Sequence, residues 1–87
     1  MAHRVEIHSA AQKQMLSLPK EAQVEVALSI DRLGDTPRPP RVKKLADSGL
    51  WRIRAGQHRI VYAIDDEARL VTIVRVARRK EGTYKGL

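Results

Sequence analysis

Hydrophobic and polar positions alternate most clearly between Leu50 and Ile64, in the stretch LWRIRAGQHRIVYAI. Trp51 and Ile53 fall on one side of an extended chain, Arg52 and Arg54 on the other. Ala55-Gly56-Gln57 predicts a three-residue hairpin connection, with glycine free to take a positive φ. Alternation then resumes, with Ile60, Tyr62 and Ile64 against Arg59, Val61 and Ala63. A half-buried sheet needs one apolar face, so Trp51, Ile53, Ile60, Tyr62 and Ile64 are assigned to the core. The opposite face then collects Arg52, Arg54 and Arg59. Guanidiniums gathered on one face repel each other, and a phosphate-rich partner relieves that repulsion.

The other segments fit around this hairpin. His3–His8 alternates and predicts a first strand, with Val5 and Ile7 inward. Ser9 and Gln12 have the spacing of a capping box. Ala11, Met15 and Leu18 continue as the stripe of a short helix, which Pro19 ends while opening the next one. Glu21–Leu33 is the strongest helical segment: Ala22, Val26, Ile30 and Leu33 lie within about 80° of arc. Val24 and Leu28 fall off that stripe and are expected against the preceding helix, and Gly34 is expected as the terminating glycine. Asp35–Arg41 holds three of the four prolines and reads as an irregular connection. Lys43, Lys44 and Leu45 lead through Asp47-Ser48-Gly49 into the hairpin. Asp65-Asp66-Glu67-Ala68 makes a turn. Leu70–Ala77 is rich in β-branched residues and predicts a central strand, with Val71, Ile73, Arg75, Ala77 and Arg79 on one face. The order is β-α-α-β-β-β, an α+β fold: one domain over residues 1–87, with a mainly antiparallel four-stranded sheet and both helices packed on one face.

Charge sharpens this picture. Seventeen Lys and Arg against ten Asp and Glu leave +7 on 87 residues, a balance that favours an anionic partner. The absence of cysteine excludes disulfides and thiolate metal sites. Three scattered histidines give no metal-ligand spacing, so neither metal nor cofactor is expected. Trp51, Tyr62 and Tyr84 are the only aromatic residues, too few for a binder built from stacking platforms. No run is apolar enough to span a membrane and no signal-peptide core is present, so a cytoplasmic protein is expected.

Any one of Arg52, Arg54, Arg59, Arg75 and Arg79 reads most simply as a solvated surface residue. As a set they read as an anion site, because their strand parity agrees and no acid alternates with them. Lys43 and Lys44, just ahead of the hairpin, suit backbone phosphate contacts. His58 has core-side parity and is read as structural, and Tyr84 either caps the core or stacks on a base.

Two motifs of the chain resemble the RelE branch of the RelE/ParE toxin superfamily. They are LWRIRAGQHRIVYAIDD, with its Arg54-x-Gly56-x-x-Arg59 hairpin, and VARRKEGTY, with Arg79 followed by Tyr84. The resemblance covers almost the whole chain. It implies the toxin of a bacterial toxin–antitoxin pair, an endoribonuclease that cuts mRNA in the ribosomal A site. The implied chemistry is metal-independent attack of a ribose 2′-hydroxyl on the adjacent phosphate. Arg54, Arg59, Arg79 and Tyr84 then correspond to the catalytic set, and Lys43, Lys44, Arg52, Arg75, Arg78 and Lys80 to RNA contacts. The implied partners are an acidic antitoxin encoded beside it, mRNA on the ribosome, and operator DNA only through the antitoxin, with no membrane. Val24 and Leu28 are candidate apolar anchors for the antitoxin.

This chain departs from the family pattern where Arg52 and Arg54 stand at positions that carry lysine in some members. Arginine is a poor general base, which leaves Tyr84, Lys80, Glu81 or the ribosome to move protons. Three other readings stay open: a ParE-like inhibitor of DNA gyrase, a non-catalytic nucleic-acid-binding module, and an inactive toxin acting only with its antitoxin in repression.

Overall fold

The computed structural model describes residues 2–78. The chain runs β1 (Arg4–Ile7), α1 (Ser9–Leu16), α2 (Lys20–Asp35), β2 (Lys43–Leu45), β3 (Leu50–Ala55), β4 (His58–Asp65) and β5 (Leu70–Arg78). The sheet has five strands in the order β1-β5-β4-β3-β2, not the four expected. The additional strand is β2: Lys43, Lys44 and Leu45 pair antiparallel with Arg52, Trp51 and Leu50. Asp47 and Gly49, both at positive φ, turn the chain between them. Three residues are too short a run to show a strand period. β1 lies parallel to β5, and the remaining pairs are antiparallel.

α1 starts one residue earlier than the capping-box reading allows. His8 is the cap, its Nδ1 accepting from the Ala10 amide at 3.2 Å, and the Gln12 amide nitrogen donates to the Ile7 carbonyl at 2.8 Å. Histidine supplies the acceptor that serine was expected to provide, because the strand ends at Ile7 and His8 keeps extended geometry. In α2 the stripe of Val26, Ile30 and Leu33 is buried as expected. Val24 and Leu28 do not pack on α1: each is more than half exposed. Gly34 does not end the helix, which continues to Asp35 with Thr36 as cap. A side chain at Gly34 would meet the His3 carbonyl oxygen at 3.0 Å and Val5 Cγ2 at 3.2 Å. Its glycine lets the helix approach β1, and the His3 amide donates to the Gly34 carbonyl at 2.6 Å.

The core lies between the helices and one sheet face, with Ile60, Tyr62, Val71 and Ile73 fully buried against Ala11, Val26 and Leu33. Trp51, Ile53 and Ile64 pack at its edge. The Tyr62 hydroxyl donates to the Pro37 carbonyl at 2.7 Å, so the core fixes the Pro-rich connection. Burial pushes the Tyr62 phenol up to about 12. A second pin holds the same connection from outside. The Arg38 guanidinium donates to both Asp66 oxygens, at 2.9 and 3.3 Å, and lies 5.0 Å from the Trp51 ring centroid. Its hydrogen bonds, with one from His3, hold the Asp66 carboxyl below the usual carboxylate range and raise Arg38 in turn.

Candidate nucleic-acid interface

The face of the sheet turned away from the helices carries the cations, and register places them. β3 and β4 are joined by Gly56 and Gln57 alone, since Ala55 pairs with His58; the connection has two residues, not three. Gly56, at φ +61°, takes the first loop position, where a type II′ hairpin asks for glycine. That tight turn sets Arg54 directly opposite Arg59, and Arg52 opposite Val61.

β5 completes the face by breaking its own alternation. Tyr62 pairs with Ile73, but Val61 pairs with Arg75, leaving Val74 as an extra residue in a bulge. Strict alternation would put Val71, Ile73, Arg75 and Ala77 on one face, as the sequence suggests. The bulge corrects this: Val71 and Ile73 stay in the core, Val76 rejoins it opposite Ile60, and Arg75 and Ala77 turn to the open face. The physical gain is that a guanidinium avoids the core and a valine enters it.

Two cationic rows therefore cross the open face. Lys43, Arg52 and Arg75 share one row through Val61; Arg54 and Arg59 form the next. The rows are two residues apart along each strand, about 6.6–6.8 Å. Of the open-face acids, Asp65 lies at the other end of the sheet, and Glu6 on β1, paired with Thr72, lies one row from Arg75. Arg59 is 8% exposed, whereas Arg54 is exposed. Like charges placed directly across a strand pair are unfavourable unless offset, and Arg59 has an interaction within the chain. A groove of about 640 Å³ runs along these residues, with the Pro-rich connection as its second wall.

The other candidate residues are distributed differently. Lys44 faces the helix side, its Nζ 5.6 Å from the Trp51 ring centroid, so the two adjacent lysines do not act together. Arg78 pairs with His58 and shares its face, away from the groove. His58 is buried, as its parity suggests. Arg79, Lys80 and Tyr84 lie outside the described residues. Sequence reasoning missed Arg41, which lines the groove beside Lys43. Its one signal was the preceding Pro40, because a proline favours the second position of a turn and so makes Arg41 the third. Among the described residues no three His, Cys, Asp or Glu side chains form a group that would hold a metal ion, and no helix is long and apolar enough to cross a membrane.

Comparison with known proteins bears on what this face belongs to. The family described as ParE toxin of type II toxin–antitoxin system, parDE, matches residues 5–82. A protein assigned as toxin RelE1 of Methanocaldococcus jannaschii is 32% identical over 98% of each chain. The chain belongs to the RelE/ParE toxin superfamily. Among solved structures, RelE of the Pyrococcus horikoshii RelE–RelB complex matches with a TM-score of 0.82 at 30% identity, over 94% of this chain and all of the other. RelBE2 of Mycobacterium tuberculosis, a toxin–antitoxin complex, matches with a TM-score of 0.83 at 28% identity, over 91% of this chain and all of the other. Isolated Escherichia coli RelE, at 18% identity and a TM-score of 0.79 over 97% of this chain and 93% of the other, shares the fold. This RelE-like toxin thus carries its two helices on one face of its sheet and Arg52, Arg54, Arg59 and Arg75 on the other.

Proposed function

We propose that this toxin is a ribosome-dependent endoribonuclease that cuts mRNA in the A site. The observation that carries the reading is Arg54 set opposite Arg59 on the sheet face turned away from the helices, with Arg52 and Arg75 in the adjoining row. In this reading the ribose 2′-oxygen attacks the neighbouring phosphorus and the bond to the 5′-oxygen of the next nucleotide breaks. The products are a 2′,3′-cyclic phosphate and a free 5′-hydroxyl. Negative charge builds on the phosphoryl oxygens as the fifth bond forms. Arg54 and Arg59 meet it with fixed donors that need no reorganisation. Neither can act as the base, because guanidinium stays protonated at any physiological pH. The proton transfers fall to Tyr84, Lys80, Glu81 or the ribosome, with Arg79 as a further clamp on the phosphate.

An acidic antitoxin that lies across the helices and the arginine face is the expected partner. The exposed Val24 and Leu28 serve as its apolar anchors, and operator DNA is reached only through it. The solved RelE–RelB and RelBE2 complexes support this pairing. The expected compartment is the cytoplasm, where ribosomes are.

The match to a family described as ParE toxin favours one second reading, inhibition of DNA gyrase without nuclease activity. Incubation with 5′-labelled mRNA, alone and on programmed ribosomes, separates the two. Cuts in the A-site codon only with ribosomes, lost in Arg59→Ala, are expected. Intact mRNA under both conditions, together with inhibited supercoiling by gyrase, would establish the second reading.

A further inference from the structure

The turn leading into β2 holds an arginine where its geometry asks for glycine. The Val42 amide donates to the Pro39 carbonyl at 3.2 Å, closing a four-residue turn with Pro40 second and Arg41 third. Arg41 has φ +74°. Proline followed by a residue of positive φ is the type II arrangement, whose third position ordinarily takes glycine or asparagine. A branched-off side chain there sets Cβ against the backbone, so the fold bears a cost for this arginine. Asp47 and Arg69, the other two non-glycine residues at positive φ among those described, do not line the groove. Arg41 does, together with Lys43, Arg52, Arg54 and Arg59.

The turn is also fixed in place. Tyr62 holds the Pro37 carbonyl from the core, and Arg38 is forked onto Asp66 outside it. The Arg41 side chain is exposed and therefore presented from a held wall. It stands at the β2 end of the groove, two residues before Lys43, beyond the row that Lys43 begins. An RNA strand crossing the sheet with one phosphate between Arg54 and Arg59 would bring a flanking phosphate to this wall. We infer that Arg41 binds that flanking phosphate of single-stranded RNA, an inference that rests on the nuclease reading above. Its guanidinium suits the non-bridging oxygens, which it can grip with two parallel N–H groups.

Arg41→Asn removes the charge while keeping a residue that tolerates positive φ, and Arg41→Lys keeps the charge without the fork. Binding of the full chain to a fluorescent single-stranded RNA oligonucleotide is measured over a salt series. For Arg41→Asn a roughly tenfold weaker Kd is expected, the scale of one charged contact. The slope of log affinity against log salt should fall by about 0.7, one phosphate contact on a single strand. Arg41→Lys should recover the slope and only part of the affinity. On programmed ribosomes Arg41→Asn should raise the toxin concentration for half-maximal cleavage, leaving the plateau rate within about twofold of native. Native Kd and salt slope in Arg41→Asn, with the native chain cutting mRNA, overturn the inference and leave the nuclease reading standing. A native chain that binds RNA without cutting it, with the slope lost in Arg41→Asn, does the reverse. Arg41→Asn that weakens only the antitoxin complex assigns the side chain to an acidic peptide and also overturns the inference. So does a lowered Tm in both Arg41→Asn and Arg41→Gly, which would show that the arginine is kept for the fold.

Discussion

The two faces of this sheet are made by the same strands and obey opposite rules. On the helix side, Ile60, Tyr62 and Ile73 are closed in by Val26 and Leu33, and each position is specified by what touches it. On the open side, Arg52, Arg54, Arg59 and Arg75 are not needed to fill the core, and in the reading proposed above they serve a phosphate ligand. One register decides both. Shifting β5 by a residue would bury a guanidinium and expose a valine in the same step, so selection on the core also holds the arginines in line. Stability and function should therefore respond separately to substitutions on opposite faces of neighbouring residues.

The largest effect on the covered side is expected from Ile60→Ala, which leaves a cavity in a fully closed site and should cost about 2–5 kcal/mol by urea unfolding. Arg54→Ala, on the other face of the paired strand and exposed, should stay within about 0.5 kcal/mol of native. Equal losses in the two variants would refute the separation. On the open side, Arg59→Ala should lower the single-turnover cleavage rate on ribosomes by about 10²–10³, the cost of one donor to a developing oxyanion. The circular-dichroism spectrum should remain native.

Tyr62→Phe tests the tie between the core and the groove wall. Loss of the hydroxyl bond to Pro37 should cost about 1 kcal/mol at neutral pH. It should also remove a step from the pH dependence of stability. A phenol near its ordinary 10 in the unfolded chain and at about 12 in the fold favours folding below pH 10. That stability is lost as pH rises from 10 towards 12. The native chain should show this alkaline loss and Tyr62→Phe should not.

The smallest effect is expected from deleting Val74. Without the extra residue, Ile73, Arg75 and Val76 alternate regularly and keep their present faces. Cooperative thermal unfolding should persist, with Tm lowered by a few degrees for the lost packing. Collapse of the fold would show that the bulge itself, and not the register it preserves, holds β5.

How much of this was legible in the sequence differs between the faces too. The β3–β4 hairpin and the α2 stripe were readable because each repeats its signal over several periods. β2 was not, since three residues carry no period. The cap at His8 and the helical Gly34 depend on contacts with β1, a segment far from Gly34 in the chain, and no local pattern encodes them. In the site, Arg52, Arg54 and Arg59 followed from parity alone. Arg75 reached the same face by a route that alternation does not contain. Lys44 was grouped with Lys43 because they are adjacent, yet adjacency in a strand means opposite faces. Arg41 went unread because it closes the Pro-rich segment taken as an irregular connection, where no strand parity assigns a face.

The strand order carries a consequence for how the toxin is made. β5 is the latest of the five strands in the chain, yet it lies between β1, the earliest, and β4. Contacts spanning nearly the whole described length are slow to form and cannot begin until both ends exist. While synthesis is short of Leu70, the helices and the β3–β4 hairpin have no sheet to close upon, because its middle is missing. The arginine face acquires its full row only after Arg75 has left the exit tunnel and β5 has docked. The order of the strands therefore sets the order of assembly: the sheet closes only once β5, made after the other four, has docked in its middle.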